Sequence, residues 1–262
     1  MDCSIIIVSF NTKAFLARCL ESLFKKLKKN TFEVIVIDNE SSDGSAEMVK
    51  KNFPKVNFIQ NKKNLGFGEA NNLAAKKALG KYLVFLNPDT YLLDDSFFSA
   101  IDFMKKNKGI GILGPKILLE DRQTIQPYSF GFEPNFLSLI YERFSPSDDI
   151  KIKEVGWVTG ACLFIRADLF NAIGGFDRRF FMYFEDIDLC MEARKRGFKV
   201  YFYPKTKIVH LLGKSLTKNL ERKKIYWTSQ KKFYQKHYGA VGLISATLLN
   251  LPRDLYLRLK HA

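Results

Sequence analysis

The sequence predicts an α/β protein with a mostly parallel central sheet, helices on both faces and a C-terminal helical extension. Three observations lead there. Short apolar or β-branched runs alternate four times with segments whose apolar residues recur at helical spacing. Each run is followed by Asn, Asp or Ser. The 262 residues are 47% hydrophobic and 26% charged, ordinary material for a large core that needs no disulfide or structural metal. At about 150 residues per domain, the length suits one large domain with an appendage.

The elements follow in order. Residues 4–8 form the first strand. Asn11 or Thr12 caps a helix in which Phe15, Leu16, Cys19, Leu20, Leu23, Phe24 and Leu27 make one apolar stripe. Residues 34–37 are a buried strand, and Ser42-Asp43-Gly44-Ser45 opens a helix carrying Met48, Val49 and Phe53. Residues 56–59 are a third strand, followed by a glycine-bearing turn and a helix over 70–79. Residues 82–86 are a fourth strand, with a helix through Phe97, Phe98, Ile101 and Met104 behind it. Four consecutive βα units imply a doubly covered parallel sheet. After Lys108 the rhythm breaks into short apolar runs at 110–113, 117–119 and 155–165, separated by an aromatic stretch over 128–144. That pattern predicts mixed sheet with long loops. A helix over 185–196 stops at Gly197, strands follow at 198–203 and 208–210, and two helical segments, 219–237 and 240–259, end the chain.

Cys3, Cys19, Cys162 and Cys190 are scattered, with no metal-site or disulfide-framework spacing, and read as buried reduced thiols of a cytoplasmic protein. No secretory leader is expected, and the longest apolar stretch, 240–251, falls short of the roughly 20 residues that span a bilayer. The net charge of +15 is uneven: residues 199–262 hold 14 Lys/Arg against 2 Asp/Glu. Such a basic segment seeks an anionic partner, such as lipid headgroups, a phosphorylated substrate or nucleic acid.

In open α/β sheets the ligand crevice lies beyond the carboxyl ends of the strands. The residues there are Ser9-Phe10-Asn11, Asp38-Asn39, residues 61–68 and Asn87-Pro88-Asp89. Any one of these could simply make a turn or cap a helix; four in succession converge on one cleft. Asn64-Leu65-Gly66-Phe67-Gly68 lacks the third glycine of a dinucleotide fingerprint and the Gly-Lys-Ser/Thr of a P-loop. Its glycines would let backbone approach a nucleotide at a helix N-terminus. Asp89 is the metal candidate, where a hard cation could bridge carboxylate and pyrophosphate. A second cluster runs from Gly174 to Asp188. Its acids, Glu185, Asp186 and Asp188, open a helix after aromatic residues, so a carboxylate there can face a desolvated cleft and serve as a general base. Asp188 reads as structural.

These residues resemble family 2 glycosyltransferases of the inverting GT-A type, in their rhamnosyltransferase-like branch. The resemblance is carried by Val8-Ser9-Phe10-Asn11, Val36-Ile37-Asp38-Asn39 with residues 41–45, residues 64–72 (NLGFGEANN), Phe85-Leu86-Asn87-Pro88-Asp89, Trp157 with residues 158–161, Gly174-Gly175-Phe176-Asp177, Glu185-Asp186-Ile187-Asp188-Leu189 and His210. It runs in order over about residues 3–240. It implies a GT-A catalytic domain over 1–217, with a nucleotide-binding half over about 1–108 and an acceptor-binding half over about 109–217, and a basic helical extension over 218–262. It implies that Ser9, Asn11, Asp38 and Ser41 line the base and ribose, and that Gly66, Phe67 and Asn71 approach the nucleotide and its phosphates. Asp89 matches the metal-binding acid of the family's D-x-D motif, and Asn87 stands in place of its first acid. His210 matches a histidine completing the metal or diphosphate site. Asp186 matches the catalytic base, with Glu185 beside it and Trp157 on the acceptor side. The implied cofactor is Mg²⁺ or Mn²⁺. The implied donor is dTDP-rhamnose, with a UDP-hexose or UDP-galactofuranose as the alternative, and the implied acceptor is a growing cell-surface glycan or a polyprenyl-diphosphate-linked sugar.

Members that act on lipid-linked acceptors work at membranes, and the basic tail predicts peripheral attachment to the anionic cytoplasmic face of the cell membrane. A nucleic-acid-binding protein would account for the tail but would leave both carboxylate clusters idle, and acids in the cleft would repel phosphate, so no nucleic-acid partner is expected. A glycan-binding pseudoenzyme is opposed by the retention of Asp89 and Asp186.

Overall fold

The computed structural model describes residues 1–28, 31–135, 150–211 and 219–259, and within the last helix the side chains of residues 221–251. The far part of the aromatic stretch expected over 128–144 and the boundary expected at 217/218 lie outside the described residues.

Four strands, β1 (Cys3–Ser9), β2 (Phe32–Asp38), β3 (Asn57–Gln60) and β4 (Tyr82–Leu86), lie parallel in the spatial order β3-β2-β1-β4. Alternate residues point to opposite faces, and both faces are apolar because both are covered. Ile5, Ile7, Val34, Val36 and Val84 pack with α1 (Lys13–Lys26), α2 (Ser45–Asn52) and α4 (Phe97–Lys106). Ile6, Ile35, Ile37 and Phe85 face α3 (Phe67–Ala75) and the helices of the second half. α1 buries Leu16, Cys19, Leu20 and Leu23, the stripe its spacing predicts.

The fourth βα unit departs from the simple pattern. A short strand, β5 (Thr90–Leu92), precedes α4 and pairs antiparallel with β11 (Lys199–His210) at the far edge. β6 (Ile110–Leu118) is one strand where two runs were expected, and β10 (Cys162–Arg166) inserts antiparallel between β4 and β6. β11 runs parallel to β6 and merges the strands expected at 198–203 and 208–210; a register irregularity between Tyr203 and Lys207 marks the join. The sheet order is therefore β3-β2-β1-β4-β10-β6-β11-β5. β7 (Phe130–Gly131) pairs with β9 (Trp157–Val158), and β8 (Lys153–Glu154) with β11.

α5 (Ala167–Ile173), α6 (Glu185–Lys195) and α7 (Asn219–Leu259) share a face with α3. α7 consists of two segments meeting at Gly239, whose φ of 65° and ψ of −151° belong to a region that only glycine enters freely. Phe233, Tyr234 and Ala246 of α7 lie in the same core cluster as Ile6 and Phe85, so this segment is built into the domain. All four cysteines are buried and unbridged.

Candidate active site

The parallel strands place their carboxyl ends in line, with Ser9 beside Asp38 and Asp38 beside Gln60. Beyond that edge opens a cavity of about 660 Å³. Its floor carries Val8, Phe10, Asn39, Asn64, Gly66, Phe67 and Asn87 to Asp89. Its opposite wall carries Trp157, Thr159, Gly160 and residues 181–187, and α7 adds Glu221, Arg222 and Ile225.

One part of the lining is a buried acid–histidine pair. Asp89 follows β4, His210 ends β11, and the pairing of β5 with β11 brings His210 opposite Thr90. His210 Nε2 stands 3.0 Å from Asp89 Oδ1, its Nδ1 is 2.7 Å from Gln126 Oε1, and Asn87 Nδ2 lies 3.4 Å from Nε2. Asp89 is 2% exposed, and its Oδ2 has no hydrogen-bond partner among the described residues. A buried carboxylate oxygen left over beside an imidazole fits a divalent cation: the oxygen is a ligand that Mg²⁺ and Mn²⁺ both take, and the imidazole favours the transition metal Mn²⁺. Without a cation, Nε2–H can donate to Asp89. With the proton on Nδ1, where Gln126 Oε1 accepts it, the Nε2 lone pair is free to join Asp89 as a ligand.

Another part of the lining is built by the entry to α6. Tyr183 and Phe184 both have positive φ, 69° and 70°, a left-handed turn that costs non-glycine residues on the order of 1–2 kcal/mol each. It swings the chain so that Glu185 and Asp186 begin a helix at the cavity wall. Asp186 Oδ2 accepts the Gly160 N–H at 2.7 Å and its Oδ1 accepts the Ile187 N–H at 2.8 Å. The carboxylate is thus oriented while half-buried at the cavity. Glu185 is 5% exposed, and its Oε2 has no hydrogen-bond partner among the described residues. Burial first, and the neighbouring Asp186 charge second, push its carboxyl well above the ordinary carboxylate range. Asp186 is suited to accept a proton, while burial favours the protonated form of Glu185, in which it can donate a hydrogen bond.

Two residues along the same helix, Asp188 points away from the cavity. Lys236 Nζ lies 2.7 and 2.8 Å from its two oxygens, and His237 Nε2 is 2.7 Å from Oδ1. Glu192 lies close enough that Asp188, Glu192 and His237 resemble a metal triad. The Lys236 ammonium already occupies it, and Lys195 donates to His237 Nδ1 at 3.2 Å, so no imidazole lone pair is left for a metal. This cluster ties α7 to α6.

The chain matches the family described as glycosyl transferase family 2 over residues 4–174. It belongs to that family. The glycosyltransferase is 27% identical over 234 residues to the N-acetylglucosaminyl-diphospho-decaprenol L-rhamnosyltransferase of Mycobacterium tuberculosis, covering 79% of this chain and 75% of that protein. It is 26% identical over 221 residues to the rhamnosyltransferase WbbL of Escherichia coli, covering 79% and 82%. Mannosyltransferase PcManGT from Pyrobaculum calidifontis, solved with GDP-Man and Mn²⁺, superposes with a TM-score of 0.63 at 13% identity, covering 99% of this chain and 79% of that one. The shared fold is GT-A.

Against this frame the expected site residues of the glycosyltransferase divide. Gly66, Phe67, Asn87, Asp89, Trp157, Glu185, Asp186 and His210 line one cavity. Ser9, Asn11, Asp38, Ser41 and Asn71 are not in its lining. Asp38 accepts both the N–H and the hydroxyl of Ser41, at 2.9 and 2.6 Å, and Asn11 N–H donates to Ser41 Oγ. Asn71 Nδ2 donates to Phe67 O within α3. Gly66, which lines the cavity, also lets the 181 loop come close: a Cβ there would lie 2.3 Å from Phe181 O. Sequence reasoning missed Gln126, Tyr128 and the α7 residues Glu221, Arg222 and Ile225. Gln126 lies 84 residues from its partner His210, and no local pattern marks it.

Proposed function

We propose that the enzyme transfers a sugar, rhamnose from dTDP-rhamnose, with inversion to a polyprenyl-diphosphate-linked or growing cell-surface glycan acceptor at a membrane surface. The observation that carries this reading is that one cavity is lined by both Asp186 and the Asp89–His210 pair. The rhamnosyltransferase relatives support the sugar, and the decaprenol-linked acceptor in the name of the mycobacterial relative supports the acceptor class.

In this mechanism Asp186 takes the proton of an acceptor hydroxyl, which attacks the anomeric carbon from the face opposite the nucleoside diphosphate, so that one displacement inverts the configuration. Gly160 N–H holds the accepting carboxylate in place. Neutral Glu185 donates to a sugar oxygen, and Trp157 offers its ring to the acceptor. Asp89 and His210 would hold a divalent cation, which when bound supplies positive charge beside the leaving diphosphate. The base and ribose extend along the strand edge toward Asn11, Asp38 and Ser41, beyond the lining of the cavity.

Calorimetric titration with dTDP, UDP and GDP, each with and without Mn²⁺ or Mg²⁺, tests the reading. Metal-dependent binding of dTDP in preference to the others is expected. Preference for UDP would replace rhamnose with a UDP-hexose or UDP-galactofuranose donor, and no binding of any nucleotide would overturn the assignment.

A further inference from the structure

The second segment of α7 is turned inside out. Gly242, Ala246 and Asn250 face inward: a Cβ on Gly242 would lie 2.3 Å from Tyr234 O, Ala246 is fully buried, and buried Asn250 Nδ2 donates to Gln230 Oε1 at 2.9 Å. The segment thus folds back along the first one after the Gly239 turn. Apart from half-buried Leu243, its large aliphatic residues point outward. Val241, Ile244, Leu248 and Leu251 are 64%, 57%, 58% and 52% exposed. At 3.6 residues per turn, positions 241, 244, 248 and 251 fall within an arc of about 80°, so they form one continuous stripe. Solvated helices put such residues inside; this one keeps small and polar residues inside and shows its apolar ones.

We infer that this stripe is a membrane-docking face that seats the enzyme on an anionic phospholipid bilayer. Charge selects that occupant over a second copy of the chain. Residues 240–251 are uncharged, but the chain on either side is basic, and residues 219–262 together hold nine Lys/Arg against two Asp/Glu, so two copies meeting through this stripe bring like-charged flanks together, while an anionic leaflet brings opposite charge to them. Among the described residues no helix is long and apolar enough to cross a membrane, and a narrow apolar stripe on a basic helix lies in the interface plane. The first segment of the same helix contributes Arg222 and Ile225 to the cavity. The element that touches lipid is therefore also part of the site wall, as suits an acceptor delivered from the bilayer. That last point rests on the proposed acceptor; the surface itself does not.

Flotation of the full chain with phosphatidylcholine vesicles, with and without phosphatidylglycerol, tests the inference. Binding to the anionic vesicles alone is expected, weakening as salt shortens the Debye length. A V241S/I244S/L248S/L251S variant should lower that partitioning about tenfold or more while still binding nucleotide. In an otherwise native chain, L248W should shift its emission to the blue on anionic vesicles, a readout that survives if the fourfold variant fails to fold. Wild-type protein that stays in solution with anionic vesicles, or an L248W emission unmoved by them, would overturn the inference. So would a serine variant that turns a dimer into a monomer by light scattering without losing vesicle binding. Failure to bind any nucleotide would instead sink the proposed reaction and leave this face standing.

Discussion

Two acid–histidine clusters sit in this glycosyltransferase, and they have the same ingredients with opposite uses. Asp89–His210 at the cavity and Asp188–His237 between α6 and α7 are both buried, with contacts of 3.0 and 2.7 Å. In the second, Lys236 bridges Asp188 and Asp177, and both oxygens of Asp188 are engaged. In the first, Asp89 Oδ2 is left over. A buried acid beside a histidine is thus open to a cation only when the surrounding chain has not already supplied one, and by that measure the proposed cation site is Asp89–His210 rather than Asp188–His237. The contrast is sharpest on α6, where Asp186 lines the cavity and Asp188, two residues on, ties α6 to α7.

Asp186→Asn is the strongest test of that division. It should lower turnover by about 10²–10⁴-fold, the worth of a positioned general base, with donor binding and the unfolding midpoint unchanged; wild-type turnover would remove Asp186 from the mechanism. Asp188→Ala should do the reverse. It leaves Lys236 with Asp177 alone and takes the acceptor from the His237 Nε2–H, at a cost in urea-unfolding stability of about 1–3 kcal/mol, the range for a buried donor left unsatisfied, while calorimetric nucleotide binding persists. If stability held and nucleotide binding vanished, the two clusters would have to exchange roles. Asp89→Asn should weaken Mn²⁺-dependent nucleotide binding by about 10–100-fold and leave the metal-independent part alone. Equal loss with and without metal would show that Asp89 acts on the nucleotide directly.

The smallest effect concerns pH. Burial alone would raise the Asp177 carboxyl, but hydrogen bonds from Arg179 and Lys236 hold it well below its ordinary value of 3.8. Burial alone would lower Lys236, but its bonds to Asp188 and Asp177 raise it above 10.5. A depressed acid stabilises fully above its unfolded value and loses that contribution as pH falls through the folded one. A raised base stabilises fully below its unfolded value and loses it as pH rises. The α6–α7 tie is therefore at full strength between about pH 4 and 10. Asp177→Asn should flatten the acid side of the unfolding curve by about 1 kcal/mol or less; an unaltered acid limb would show that Asp177 contributes nothing there.

The first half of the fold was legible because its signals are local. A buried β-branched run and a helical stripe such as Leu16, Cys19, Leu20 and Leu23 are each complete within a few residues, as is the Asn87-Pro88-Asp89 turn. Where the sequence misled, long-range pairing had won. β5 is a three-residue strand visible only through its pairing with β11, and the break at 204–206 hid the continuity of β11 itself. Polar residues at strand ends were an ambiguous sign. At Asp89 they line the cavity, whereas Asp38 and Asn11 lie outside its lining and bond nearby loop groups, as short polar side chains readily do. Asp188 read correctly as structural, yet its partners Lys236 and His237, 48 and 49 residues away, could not be named.

The buried cysteines have a practical corollary. Burial pushes the thiols of Cys3 and Cys19 up to about 12 and raises those of Cys162 and Cys190 well above their ordinary value. The native chain therefore presents almost no thiolate to an alkylating reagent near neutral pH. A cysteine introduced on the surface becomes the one reactive handle, so a fluorophore or spin probe can be attached at a chosen position without first rebuilding the core.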